Sequence, residues 1–288
     1  MSTDLPDISL RQLQYLVAVA DEPSWALAAE RTGVSPSALS QGLAELERRV
    51  GVALFERDGR RRLVRASAAP VLEHARRVVA LTGDLVAWSE RMRAARTGRV
   101  RLGMIDVAAV VHFPEVVRAF RTERPDVEMT VSVAPSAALL DDLRAGELDL
   151  VVCIEPPESW AGITTEPLLD EPLVVVAPPG ARIGPPGTWG PWVTFPVGSH
   201  TRELIDANLR ALGAPLTIAA VSHQPDVLMQ MVRIGLGWTV LPAHGLPDDV
   251  TVGPELTRRR LVLARRAGSV TDPSVGEMAV WLQRAVPE

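Results

Sequence analysis

Leu10, Leu13, Leu16, Val17 and Ala20 recur at the spacing of one face of an α-helix. Asp21-Glu22-Pro23 closes that helix. Ser24 is of the N-cap type and opens a second helix, from Trp25 to about residue 32, with Ala28 and Ala29 on its inner face. Gly33 stops it. Ser35 is placed to cap a third helix with Pro36 at its first position, where the missing N–H costs nothing. That helix runs to about Val50. Leu39, Leu43, Leu46 and Val50 fall on one stripe, and Ser37, Ser40, Gln41, Ala44 and Arg48 on the opposite one. A helix, a short turn around a glycine and a second helix is the arrangement that reads DNA in the major groove, although many α-hairpins share it.

The next segment narrows that reading. Val52-Ala53-Leu54-Phe55 and Leu63-Val64 are short extended runs, with Asp58-Gly59 between them as a hairpin signal. Arg57, Arg60, Arg61, Arg62 and Arg65 surround the turn. A basic hairpin directly after a helix-turn-helix is a wing suited to a phosphate backbone; alone, it would be a solvated arginine run. Residues 67–96 then show one long helical stripe: Val71, Leu72, Ala75, Val78, Val79, Leu85, Val86 and Met92. With no following helix to cover it, the stripe predicts self-association, with Leu72 and Val79, seven apart, in the seam.

From residue 99 onward, strand and helix patterns alternate. Strands are expected at 99–106, 127–133, 148–154, 192–196, 217–223, 238–242 and 259–266. Helices are expected at 114–123, 136–145, 201–213, 225–237 and 273–285. Two short segments fill about 163–177, and a Pro/Gly-rich loop 178–191. The alternation predicts mostly parallel sheets flanked by helices, in two lobes, with a ligand at the strand ends between them.

All 30 cations are arginine, so lysine Schiff bases, pyridoxal phosphate enzymes, the Walker-A lysine and kinase chemistry drop out. A single cysteine, Cys153, excludes an intrachain disulfide and a four-cysteine metal site. No stretch reaches the ~18 apolar residues of a membrane helix, and the N-terminus lacks the signal-peptide pattern, so the expectation is a cytoplasmic chain. Residues 1–97 carry a balance of +2 and residues 98–288 one of −7. A basic surface, if there is one, lies in the first third.

The segment SLRQLQYLVAVADEPSWALAAERTGVSPSALSQGLAELERRVGVALFERDGRRRLV resembles the LysR-type transcriptional regulators. Ala28-Ala29, Ala38-Leu39-Ser40, Leu43, Leu46-Glu47, Gly51-Val52 and Leu54-Phe55-Glu56-Arg57 match the family pattern in order and spacing. PEVVRAFRTERPDVEMTV, LRAGELDLVV and MVRIGLGWTVLPAH extend the likeness more loosely over the rest. The resemblance implies an α/β multi-domain chain: a winged helix-turn-helix over 1–66, a long linker and dimerisation helix over 67–97, and a two-lobed α/β effector domain over 98–288. That domain is like a periplasmic binding protein, with lobe one at about 99–158 plus a return at about 263–288, and lobe two at about 159–262. It also implies double-stranded DNA, a small polar effector and RNA polymerase as partners, assembly as a homodimer or homotetramer, and no cofactor. The sequence departs from the pattern at Ser35-Pro36-Ser37, at Gln41-Gly42 and at residues 65–68. Gly42 weakens its helix by about 1 kcal/mol relative to alanine.

Pro36, Ser37, Ser40 and Gln41 are therefore the base-reading candidates, Gln41 through bidentate pairing with adenine. Arg31, Arg48, Arg57, Arg60, Arg61 and Arg62 are the phosphate candidates. Asp106 follows the first effector-domain strand, where the family often has a serine or threonine that binds an anionic effector. Ser136, Ser199, His200, Thr201, His223 and Gln224 also sit at strand ends or helix starts. A carboxylate at Asp106 suits a cationic or hydroxylated group; plain helix capping is the alternative for Asp106 and Thr201. The five histidines show no metal-ligand spacing, and Ser199-His200 lacks a nucleophile elbow, so no catalytic residues are assigned. The competing reading is a small-molecule binding protein whose helical head makes protein contacts only. Five arginines around one turn favour DNA.

Overall fold

A computed structural model describes residues 7–58, 61–94, 98–156, 160–270 and 272–285, with positions 57, 58, 61, 62, 87 and 90–94 described as backbone alone. The chain forms two compact units, each described by itself.

In the first unit, α1 (Leu10–Asp21) starts at a capping box: the Ser9 hydroxyl accepts from the Gln12 N–H while the Gln12 side chain accepts from the Ser9 N–H. α2 (Trp25–Arg31) and α3 (Pro36–Val50) begin at Ser24 and Ser35, whose hydroxyls accept from Leu27 N and Ala38 N. Gly33 between them has φ +66°, a conformation that favours glycine. Leu16, Ala28, Leu39, Leu43 and Leu46 are fully buried at the junction of the three helices. Strands β1 (Phe55–Asp58) and β2 (Arg61–Val64) pair antiparallel, with Phe55 opposite Val64 and Asp58 opposite Arg61. The predicted turn residue Gly59 and the candidate Arg60 lie outside the described residues. α4 (Ala69–Ala94) follows as one continuous helix.

The expectation that the α4 stripe has nothing in its own chain to cover it is corrected. α1 packs along α4, and Val71, Leu72, Val78 and Val79 are half-buried against the head's own core. The uncovered apolar residues lie further along: Leu85, Val86 and Trp88.

The second unit is built on one six-stranded sheet, ordered β4-β3-β5-β10-β6-β9. β3 (Arg99–Met104) pairs in parallel with β4 (Glu128–Val133) and β5 (Leu150–Ile154). Helices α5 (Pro114–Glu123), α6 (Ser136–Ala145) and α9 (Pro273–Arg284) supply Phe120, Leu139, Leu143 and Met278 to the first core. β6 (Ile163–Ala177), β9 (Thr239–Pro242) and β10 (Thr251–Arg266) pair antiparallel, and so does β10 with β5. The sheet is therefore mixed, not mostly parallel. A second small sheet pairs β7 (Trp192–Thr194) with β8 (Ile218–Val221) in parallel. It joins α7 (His200–Ala211) and α8 (Pro225–Arg233) around the second core, which holds Val175, Trp192, Val193, Ile205, Leu228 and Val240.

The antiparallel share comes from two strands longer than the sequence suggested. Pro167 and Pro172 interrupt the β6 pattern, and Gly253-Pro254 that of β10, which demotes such runs in a sequence reading. Here the register shifts between Leu261 and Val262, opposite Leu169 and Pro167, and between Val252 and Glu255, so irregular pairing absorbs these residues. Both strands run through both cores. Leu168 and Leu169 of β6, with Leu261 to Ala264 of β10, pack in the first; Leu173 to Ala177 and Leu256 pack in the second. Ile163, Leu168, Leu169, Leu261 and Val262 thus pack in the first core.

Candidate DNA interface and effector cleft

The first turns of α3 present Pro36, Ser37 and Gln41 to solvent, with Ser40 half-buried beside them. The i, i+4 spacing of Ser37 and Gln41, and of Pro36 and Ser40, sets the four on one helix face. The Ser37 hydroxyl shares a hydrogen bond of 3.0 Å with that of Ser35. At the far end of α3, the Glu47 carboxylate accepts from the N–H groups of Leu54 (2.8 Å) and Phe55 (3.2 Å). This fixes where the wing leaves the helix. Arg65 Nε donates to the Phe55 carbonyl at 3.0 Å, and the Trp25 ring meets Phe55 edge-on at 5.1 Å.

Two of the phosphate candidates already have carboxylate neighbours. Arg31 lies 3.2 Å from Glu22, and Arg48 forks onto Glu45 through Nε at 2.9 Å and through a terminal guanidinium nitrogen. The Arg48 and Arg49 guanidiniums hold the exposed Glu45 carboxyl down at about 2. Of the wing candidates, Arg57, Arg61 and Arg62 lie on the paired strands, one opposite pair being Arg57 and Arg62.

In the second unit, a cavity of about 530 Å³ opens between the two lobes, within the range of small-molecule sites. Asp106, Ser136, Ser199, His200, Thr201, His223 and Gln224 all line it. They arrive from four places: the end of β3, the start of α6, the start of α7 and the end of β8. Ile105, Val107, Val133, Ile154 and Phe195 make the remainder mostly apolar. The side-chain cap of α7 is Ser199, whose hydroxyl accepts from Arg202 N at 3.4 Å, whereas the Thr201 hydroxyl oxygen accepts from Arg259. Asp106 makes no side-chain hydrogen bond among the described residues. Burial and the charge of Asp226 raise its carboxyl above the ordinary value, against the pull of Arg259.

The sequence reading did not single out Arg259, the one arginine among the described residues of the cavity wall. Its Nε donates to Glu171 Oε2 at 2.6 Å, and its terminal nitrogens reach the same carboxylate at 2.6 Å and Thr201 Oγ1 at 3.0 Å. His112 Nε2 closes the cluster at 2.7 Å from Glu171 Oε1. Burial pushes the Glu171 carboxyl up, but the His112 hydrogen bond and the Arg259 charge outweigh it, and the net shift is downward. Strand alternation explains the placement: Arg259 faces Glu171 inward, while the next pair, Arg260 and Asp170, faces outward and is exposed. An arginine flanked by two others in a strand pattern, with one forced inward, was the available signal.

The comparisons with known proteins bear on both units. Residues 10–69 match the bacterial regulatory helix-turn-helix model of the lysR family, and residues 93–287 match the LysR substrate binding domain. The chain belongs to the LysR-type transcriptional regulators. It is thus a ligand-responsive, sequence-specific DNA-binding regulator with a winged helix-turn-helix and a two-lobed α/β effector domain. A probable hydrogen peroxide-inducible genes activator of Streptomyces viridosporus is 31% identical over 96% of this chain and 94% of its own. The regulator CbbR of Sinorhizobium medicae is 33% identical over 86% of this chain and 81% of its own. These LysR-type relatives are regulators of transcription. Among solved structures, a full-length OxyR variant from Pseudomonas aeruginosa has a TM-score of 0.62 at 24% identity, covering 96% of this chain and 94% of its own. CbnR complexed with its target DNA has 0.58 at 21%, covering 96% and 99%. Both share the fold. No helix among the described residues is long and apolar enough to cross a membrane.

Proposed function

We propose that this LysR-type regulator binds double-stranded DNA as a homodimer or a dimer of dimers, in the cytoplasm, and changes its grip when a small polar effector enters the cleft. Pro36, Ser37, Ser40 and Gln41 read bases; Arg57, Arg60, Arg61 and Arg62 of the wing hold phosphates, with Arg31 and Arg48 exchanging their carboxylate partners for the backbone. The observation that carries the effector half is the convergence of Asp106 from one lobe and Thr201 from the other on one cavity. A ligand touching both lobes favours one lobe arrangement over another, and only such differential affinity shifts DNA binding. Leu85, Val86 and Trp88 on α4 support the dimer, as apolar residues left uncovered by their own chain. RNA polymerase is the downstream partner in this reading.

The relatives' names point to unrelated responses, so no effector is carried over from them. The peroxide response in particular finds little chemistry here. Cys153 is fully buried in β5, and burial pushes its thiol up to about 12, so the reactive thiolate is scarce.

Two substitutions test the DNA half together, on a duplex selected by the protein and on a random one. Gln41→Ala is expected to lower the preference for the selected duplex by ~1–3 kcal/mol while leaving the salt slope unchanged. Arg61→Ala is expected to weaken both duplexes alike and lower the salt slope by ~1. The reverse assignment would place base reading in the wing.

A further inference from the structure

The effector cleft has an electrical asymmetry that selects among ligands. Its one cationic wall residue with permanent charge, Arg259, is buried and already paired: Glu171 meets its Nε and one terminal nitrogen, and Thr201 accepts from the other. A carboxylate ligand meets there a guanidinium whose charge Glu171 already balances, and taking the Nε side would displace Glu171 and leave that buried carboxylate without its counter-charge. Asp106, by contrast, lines the cavity with no ion pair or side-chain hydrogen bond among the described residues. A second carboxylate, Asp226 in the first turn of α8, lies within electrostatic range, beside the wall residue Pro225. Its charge adds to burial in disfavouring the ionised form of Asp106, and the smaller pull of Arg259 does not offset the two. The polar capacity left over at the other side is hydrogen-bonding rather than cationic. Ser136 Oγ accepts from Ile154 N at 3.2 Å, which leaves its O–H to donate, and the buried Nδ1 of His200 has no partner.

We infer that the effector is a small organic cation, a primary amine or guanidine with a short apolar body and a hydrogen-bonding group at its far end, whose charged end is held by Asp106 with Asp226 behind it. The inference rests on the cleft being the effector site and goes one step further, to the charge of what it takes. The cation supplies the direct ion pair that Asp106 lacks among the described residues, the apolar wall of Ile105, Val133, Ile154 and Phe195 takes the body, and the start of α7 meets the far end.

Titration calorimetry of the full chain decides it, with agmatine, benzylamine and 4-aminobutan-1-ol set against glutarate and benzoate. The expected result is that at least one amine binds ten-fold or more tightly than either carboxylate, and that Asp106→Asn removes at least ten-fold of that affinity. Carboxylates ahead of amines, or amine binding unchanged in Asp106→Asn, overturns the inference while leaving the cleft as the effector site. Heat from neither class overturns the inference too, and if the unliganded cleft can also be filled by Ala137→Trp without altering DNA binding in cell extract, the reading of the cleft falls with it. The ligand-free melting temperature keeps the variant interpretable: removing an acid whose charge burial and Asp226 disfavour more than Arg259 favours it is expected to raise it. A fall of several degrees would mean that Asp106 holds the fold rather than a ligand.

Discussion

Arg259 and Glu171 are partners across neighbouring strands, 88 residues apart in sequence, and the pair sits where both long strands pass from one core to the other. Removing one member of a buried pair strands the other, which costs about 3–5 kcal/mol. Glu171→Gln is therefore expected to lose stability of that order at pH 7 in urea unfolding. The pH dependence follows from the direction of the shift. The folded carboxyl titrates below its ordinary value of 4.5, so its stabilisation is present above that value and is lost as pH falls through the lower, folded one. The acid limb of the stability curve is expected to be shallower in Glu171→Gln. An unchanged limb would mean that the cluster contributes nothing as a charged unit. Asp106 and Thr201 were legible in the sequence because strand ends and helix starts are where α/β clefts put their polar groups. The Arg259–Glu171 cluster was not, since no local pattern pairs two residues across that separation.

Individual elements were legible to different degrees for physical reasons. α1 and α3 have a 3.6 period, a capping serine and, for α3, a proline at the first position, all pointing the same way. β6 and β10 were cut short because prolines mask strand patterns that irregular register tolerates. Gly42 shows the limit of propensity arguments. Its helix propensity alone favours alanine, yet an added Cβ would come within 2.8 Å of the Tyr15 ring, buried in α1. Overpacking costs about 1–3 kcal/mol and the propensity gain is about 1 kcal/mol. Gly42→Ala is thus expected to be neutral to destabilising by up to about 2 kcal/mol in denaturant unfolding. A clear gain in stability would show that α1 and α3 are less closely packed than described.

At the scale of the whole molecule, the family pattern in the first sixty residues indicated a regulator, and the comparisons bear that out. The mixed sheet was not legible, because strand direction follows from long-range pairing that alternation of elements does not encode. Nor was the covering of the α4 stripe by α1, since both read as amphipathic helices wanting a partner. In the proposed dimer two copies meet at what remains uncovered on α4, and two copies predict a two-fold operator. The purified chain, incubated with fragmented DNA of its source genome in the presence of random competitor, tests this directly once the retained fragments are sequenced and footprinted. The account predicts a small set of retained fragments, each protected over two half-sites related by two-fold symmetry, with centres an integral number of ~10 bp turns apart. Retention no better than that of the random competitor, or protection of a single half-site by a monomer, would contradict it.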